Sequence, residues 1–118
     1  MTDFRVVAFI RRADGVSAED LRVFYEEKLT GIFRRRYPDA TRYVRRYLTS
    51  FPNPLTQETT PIRHDMMTEA WFASRADFEQ AQQRLSSAES VEDRRAIRLL
   101  ERRFIGSIEV VVVDDVEG

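Results

Sequence analysis

The spacing of apolar residues divides the chain into seven segments. FRVVAFIRR (4–12) is a β-branched and aromatic run that predicts a strand, and Asp14-Gly15 stops it with a turn signal. Beyond it the period lengthens. Ser17 with Asp20 three positions on has the form of a capping box, with aspartate in place of Glu or Gln. Leu21, Phe24, Lys28, Leu29, Ile32 and Phe33 then follow helical spacing, and this helix should end before Pro38. TRYVRRYLTS (41–50) alternates and predicts a second strand. The proline-punctuated FPNPLTQETTPI (51–62) is about twice a typical connection, which makes it a candidate lid or partner-binding segment. HDMMTEAWFA (64–73) predicts a third strand. Ser74 with Asp77 opens a helix through Phe78, Ala81 and Leu85, and Ser90 with Asp93 opens another through Ala96, Ile97, Leu100 and Phe104. IEVVVVDD (108–115) predicts the last strand, ended by acids.

No internal repeat or linker interrupts this order, so residues 1–118 are expected to form a single domain. The order β-α-β-β-α-α-β is the split βαβ, ferredoxin-like plan with one extra helix. It predicts an α+β fold with one mostly antiparallel four-stranded sheet carrying its helices on one face.

Strand side chains alternate, so each strand sorts into two sets. Phe4, Val6, Ala8 and Ile10, with Val44, Leu48, Met66, Ala70 and Phe72, form an apolar set expected under the helices. The opposite set holds Val7, Phe9, Tyr43, Tyr47, Met67, Trp71, Val111 and Val113, interleaved with Arg5, Arg11, Arg45, Glu69 and Glu109. A solvated sheet face should be mostly polar. This one carries large apolar groups, which predicts a second sheet packed on it and hence an obligate homodimer. Arg45 and Glu69 are expected to pair on that face.

Composition narrows the chemistry. Apolar residues make up 42% of the chain and charged residues 33%, a globular balance. Cysteine is absent, which removes disulfides, thiolate nucleophiles and cysteine-ligated metals, and a single histidine leaves little for a zinc or iron site. Net charge is −1, so no global field attracts nucleic acid. Residues 1–63 carry 12 Arg and Lys against 8 acids, and residues 64–118 carry 7 against 12. The arginines at 34, 35, 36, 42, 45 and 46 therefore suggest either a polyanion site or pairing with the acidic half, within the fold or across a subunit contact. The opening MTDFRVVAFIRR is too short for a signal peptide core or a membrane span, so a cytoplasmic location is expected and no membrane partner. The four glycines are scattered and no serine sits in a nucleophile elbow, which leaves nicotinamide, flavin and nucleotide-triphosphate chemistry without support.

Five pieces in this order and spacing carry a resemblance: VVAFIRR (6–12), LRVFYEEKLTGIF (21–33), RYVRRYL (42–48), EAWFAS (69–74) and LERRFI (100–105). The chain resembles the EthD family of the dimeric α+β barrel superfamily over nearly its whole length. The resemblance implies a ferredoxin-like subunit, sheets joined back to back, and a pocket between sheet and helices. Relatives include cofactor-independent polyketide cyclases, dehydratases, lactone isomerases, quinone-forming monooxygenases and haem-degrading enzymes, so the fold does not choose a reaction. Many members carry a histidine in the first helix where YEEKL places Leu29, and an Ala-Pro where this chain has Thr30-Gly31. The acid–base group most readily transferred from the family is therefore absent.

The candidate catalytic residues are His64, Tyr25 and Glu69. Histidine is the residue type suited to proton transfer near neutrality, so His64 would shuttle a proton on a phenolic or ketonic ligand, or it is a solvated residue at a loop end. Glu69 is a buried general base or the partner of Arg45. Tyr25 points its hydroxyl into the pocket or marks the wet edge of the helical stripe. Phe24, Phe33, Met66, Trp71 and Phe72 are the candidate substrate-binding residues, with Trp71 either a stacking platform or an interface group. The expectation is a small enzyme needing no metal and no cofactor, acting on a polyketide, phenol or lactone by cyclisation, dehydration, isomerisation or a lyase step. The alternative is a non-catalytic carrier or accessory protein for a hydrophobic metabolite. A third option is haem ligation by His64.

Overall fold

A computed structural model of the chain describes residues 3–85 and 91–116. Its elements run β1 (Phe4–Arg12), α1 (Ala18–Phe24), a π-helical turn (Tyr25–Leu29), α2 (Thr30–Arg36), β2 (Arg42–Tyr47), β3 (Met66–Phe72), α3 (Arg75–Leu85), α4 (Val91–Phe104) and β4 (Ile105–Val113). The strands form one sheet in the order β2-β3-β1-β4, and each neighbouring pair is antiparallel. This is the ferredoxin-like α+β plan that the order of elements predicts.

The helix starts follow the local chemistry of their caps. Ser17 Oγ accepts the backbone N–H of Asp20 at 3.0 Å, and Ser74 Oγ accepts that of Asp77 at 3.2 Å, so each hydroxyl satisfies one orphan donor. The proposed cap Ser90 lies outside the described residues, as do the side chains of Leu85, Asp93 and Ala96. The first helix is not α-helical throughout. At Tyr25–Leu29 the chain takes in one extra residue per turn, and the Thr30 N–H and hydroxyl both donate to the Tyr25 carbonyl, the hydroxyl at 3.1 Å. Such π turns recur at functional sites because they re-aim the side chains on either side of them.

β4 begins at Ile105, three residues before the apolar run starts at 108, directly from the end of α4. Gly106 permits that entry. A Cβ there would lie 2.9 Å from the Arg12 carbonyl oxygen, where the β1–β4 register shifts. Ile10, Leu21, Phe24, Tyr25, Leu29, Met66 and Ile105 form the core between sheet and helices.

The register sorts β1, β3 and β4 as expected and reverses β2. Tyr43 pairs with Ala70, Arg45 with Thr68 and Tyr47 with Met66, so these three face the helices. Val44 sits opposite Glu69 on the other side of the sheet, and Leu48, whose N–H donates to Asp65 O at 2.9 Å, continues that parity. Expecting Val44 and Leu48 under the helices was therefore incorrect by a shift of one residue, which moves a whole strand's side chains across the sheet. The physical reason is that the helices supply hydroxyl and carboxylate partners for the tyrosines on the inward side.

The expected Arg45–Glu69 pair is corrected with it. Arg45 instead grips Glu26 on the π turn, with Nε–Oε2 at 2.9 Å and Nη2–Oε1 at 2.6 Å, and the Tyr47 hydroxyl donates to the same carboxylate at 2.7 Å. Glu69 lies between Arg5 at 3.5 Å and Arg46 at 3.3 Å on the opposite face. The arginine cluster thus disperses to both sides of the sheet instead of forming one patch.

The helices also cover less than a full face. Ile108, Val110 and Val112 point to the helix side of β4 yet are 45, 63 and 58% exposed. That margin is where the interior opens.

Candidate active site

A cavity of about 280 Å³ lies between the helix-facing side of the sheet and the helices. Its floor is apolar: Val6, Ala8 and Ile10 from β1, Ala70 and Phe72 from β3, with Ile108 and Val110 at the uncovered edge. The helices close it with Leu29, Ile32, Phe33 and Phe78. Few polar groups enter this wall, namely Tyr25, Tyr37, Thr68, Gln82, Arg36 and Glu101. A mostly apolar cleft with a small polar set is the usual form of a small-molecule site.

Tyr25 owes its position to the π turn that begins with it. Its hydroxyl accepts a hydrogen bond from the Tyr43 hydroxyl at 3.0 Å and also interacts with the Thr68 side chain. Burial raises the Tyr25 phenol above its ordinary value, with those two hydrogen bonds opposing and the nearby Glu101 adding to the rise. Tyr25 is accordingly a neutral hydrogen-bonding group. Tyr43 is raised further, first by burial and then by its proximity to Tyr25. Its ring stacks on Phe33 at 3.9 Å with planes 11° apart, which fixes the direction of the hydroxyl.

Glu101 projects from α4 and is half-buried. Burial raises its carboxyl above the usual carboxylate range, and the Arg36 and Arg98 guanidinium groups oppose that rise. Arg36, the last residue of α2, also lines the cavity. Its Nη2 is closed off from water and has no hydrogen-bond partner. Phe72 and Phe78 stand beside Tyr37, with ring centroids 5.9 and 5.8 Å from its own, and complete an aromatic side wall.

The residues expected from sequence divide between this cavity and the rest of the molecule. Tyr25, Phe33 and Phe72 line it. Phe24 does not; it stacks on Phe104 at 4.1 Å, holding α1 to α4. Met66 is fully buried in the core. Trp71 lies on the opposite side of the sheet, between Arg5 and Arg42, whose guanidinium carbons are 5.6 and 4.8 Å from the ring centroid. Glu69 shares that side. His64 is there as well, its ring 5.1 Å from Phe9 and its Nε2 3.5 Å from Glu109 Oε1. The expected trio of His64, Tyr25 and Glu69 is therefore not brought together, because the sheet stands between Tyr25 and the other two. The long segment 51–62 contributes nothing to the cavity wall; Phe51 and Leu55 are exposed on it, and its turn is held by Asn53, whose side chain accepts the Leu55 N–H at 2.8 Å.

The sequence marks neither Glu101, Thr68 nor Tyr37 as a site residue, and it marks Arg36 only as part of the arginine cluster. For two of the four a signal existed in the spacing. Arg36 continues the stripe Leu29, Ile32, Phe33 at helical spacing, and Glu101 falls between Ile97 and Phe104 on the inward face of α4. Leu100, expected on that face, is 40% exposed. Thr68 and Tyr37 carry no comparable mark.

Among the described residues no group of three or more His, Asp or Glu is placed to hold a metal ion, and no helix is long and apolar enough to cross a membrane.

Comparison with known proteins agrees with this architecture. The model of the EthD domain matches residues 13–96. An ethyl tert-butyl ether D family protein from Bacillus halodurans superposes with a TM-score of 0.63 at 11% identity, covering 98% of this chain and 100% of that one. The Arabidopsis thaliana protein At3g17210 gives 0.62 at 12% identity, covering 98% and 97%. A dimeric protein of unknown function with a ferredoxin-like fold from Bacteroides fragilis gives 0.56 at 14%, covering 96% of each chain. No curated protein sequence matches the chain significantly.

Proposed function

The chain belongs to the EthD family, and from that premise we propose that its sheet–helix cavity binds a hydrophobic, oxygenated small molecule and moves a proton on it. The substrate class is a polyketide, phenol or lactone, and the reaction a cyclisation, dehydration, isomerisation or lyase step. Glu101 is the acid–base group. The observation that carries this is a half-buried carboxyl, raised by desolvation, in the wall of a mostly apolar cavity. A carboxyl moved toward neutral pH exchanges protons with a weak carbon or oxygen acid more effectively than an ordinary one. Tyr25 holds a substrate oxygen by hydrogen bonding, its own hydroxyl oriented by Tyr43 and Thr68.

A second reading is a carrier or accessory protein for the same class of compound in an oxidation or degradation pathway. It is favoured by Leu29, which lines the cavity at the position where many relatives carry histidine.

We also propose that the chain works as a homodimer joined through the bare side of its sheet. Val7, Phe9, Met67, Trp71 and Val111 lie on that side, opposite the helices; Val7 is already buried there, Phe9, Met67 and Trp71 are half-buried, and Val111 is 41% exposed. The molecule is only 19 Å thick against 51 Å long, and its radius of gyration is 16.1 Å, where a compact chain of this length has roughly 13–14 Å.

Thermal-shift screening of aromatic ketones, phenols and lactones, followed by mass analysis of the stabilising wells, tests the first reading against the second. On the first, a product forms and Glu101→Gln slows its formation at least tenfold while the stabilising shift remains. Product formed at an unchanged rate removes Glu101 from the chemistry. Stabilisation without conversion supports the carrier.

A further inference from the structure

Among the described residues Arg36 is the cavity's cationic group, and its Nη2 is the one donor of that wall sealed from water without an acceptor. No carboxylate of the described residues forms an ion pair with it, although Arg5, Arg12, Arg45, Arg46, Arg75 and Arg84 all have one. A buried donor left without an acceptor is unfavourable, and more so when charged, so the site is electrostatically incomplete as the chain alone builds it. The apolar lining offers nothing to finish it. A bound molecule can.

We infer that the ligand is a hydrophobic acid, whose ionised oxygen is received by Arg36 and whose flat apolar body lies along Phe33 toward Ile108 and Val110. A guanidinium fork suits a carboxylate or the enolate of an acidic dicarbonyl, since both present oxygens in one plane. Glu101, the acidic residue of the same wall, does not cancel this preference. It faces Arg36 from α4, has Arg98 on its own helix and Tyr25 across from it, and its burial favours the neutral form that can donate to the ligand. The exposed apolar margin of β4 then gives such a molecule a place to enter and to extend.

This inference rests on the cavity being the ligand site proposed above, and the test separates the two. Affinities are measured calorimetrically at neutral pH for 2-naphthoate against methyl 2-naphthoate, and for 2-hydroxy-1,4-naphthoquinone, an acidic enol, against its 2-methoxy ether. Each acid should bind at least tenfold more tightly than its neutral partner, and Arg36→Met should abolish that ratio while Arg36→Lys keeps part of it. A preference confined to the naphthoate pair assigns the site to carboxylates, and one confined to the quinone pair assigns it to acidic enols. Neutral partners binding as tightly as the acids to the unaltered protein would overturn the role of Arg36 and leave the cavity reading standing. An acid preference that survives in Arg36→Met would do the same. Failure of all four probes to bind at millimolar concentration would remove the cavity reading and this inference together.

Discussion

The Tyr43 hydroxyl donates to the Tyr25 hydroxyl across 3.0 Å, joining an edge strand to the π turn of the first helix. Each group is buried enough that losing its partner costs more than losing itself. Tyr25→Phe leaves the Tyr43 donor without its acceptor and should destabilise the fold by about 1–2 kcal/mol. Tyr43→Phe should cost about as much, partly through the lost donor to Tyr25. The double variant should cost less than the two together by about 1 kcal/mol, because it removes the Tyr43 donor together with its acceptor. Urea unfolding of the four proteins measures this, and strict additivity would show that the contact carries no stabilisation.

The bare side of the sheet makes a second prediction. Val110 and Val111 are adjacent in sequence and point to opposite sides of β4. Val111→Arg should convert the proposed dimer to monomer by light scattering at micromolar concentration, because it places a charge among Val7, Phe9 and Trp71. Val110→Arg, on the helix side, should leave the dimer intact. An unaltered protein that scatters as a monomer would refute the interface, and so would dimers that persist in Val111→Arg.

Residues 4–12 and 64–73 show how far the sequence carries the fold. Their dense apolar runs fix strands, and their alternation fixes which side chains travel together. Which set faces inward was legible for β1 and β3, where Arg5, Arg11 and Glu69 interrupt one set and the other, with Ile10, Met66 and Phe72, carries no charge. It was not legible for β2, where tyrosine alternates with valine and arginine and either side offers a plausible interior. Only the partners settle it: Tyr25 and Glu26 are on the helices, so Tyr43 and Tyr47 turn toward them. The site fared similarly. Tyr25, Phe33 and Phe72 were found from aromatic character beside a stripe. His64 drew attention by being the only histidine, a property of composition that carries no information about which side of a sheet it occupies. The place of Arg36 and Glu101 in the cavity wall was hidden because charge on a helix usually marks the solvent side, and here it continues the buried stripe.

Two carboxylates of the helical layer, Glu26 on the π turn and Glu101 on α4, should give opposite responses to acid. Arg45's hydrogen bonds, aided by the Tyr47 hydroxyl, lower Glu26 from 4.5 to about 2 against a smaller effect of burial. A carboxyl lowered in the folded state stabilises above its unfolded value and loses that contribution as pH falls through its folded value. Glu26 therefore contributes at neutral pH, and its contribution fades between about 4.5 and 2. The Glu26 side chain is 36% exposed, so solvent screening should hold the effect under about 1 kcal/mol, and 1 M salt should shrink it further. Glu101 is raised, so the sign inverts: its neutral form suits the fold, and its contribution is present below the ordinary carboxylate range and lost as pH rises through its folded value. Urea midpoints at neutral pH and near pH 2.5 separate the two carboxylates. Glu26→Gln should be less stable than the unaltered protein at neutral pH and should lose less on acidification. Glu101→Gln should be the more stable protein at neutral pH, with its advantage gone in acid. That gain would come with slower turnover, as expected where a strained group is kept for function. If Glu101→Gln were instead destabilised at neutral pH, the carboxylate would be serving the fold as a paired charge, and its assignment as the group that moves the proton would lose its physical basis.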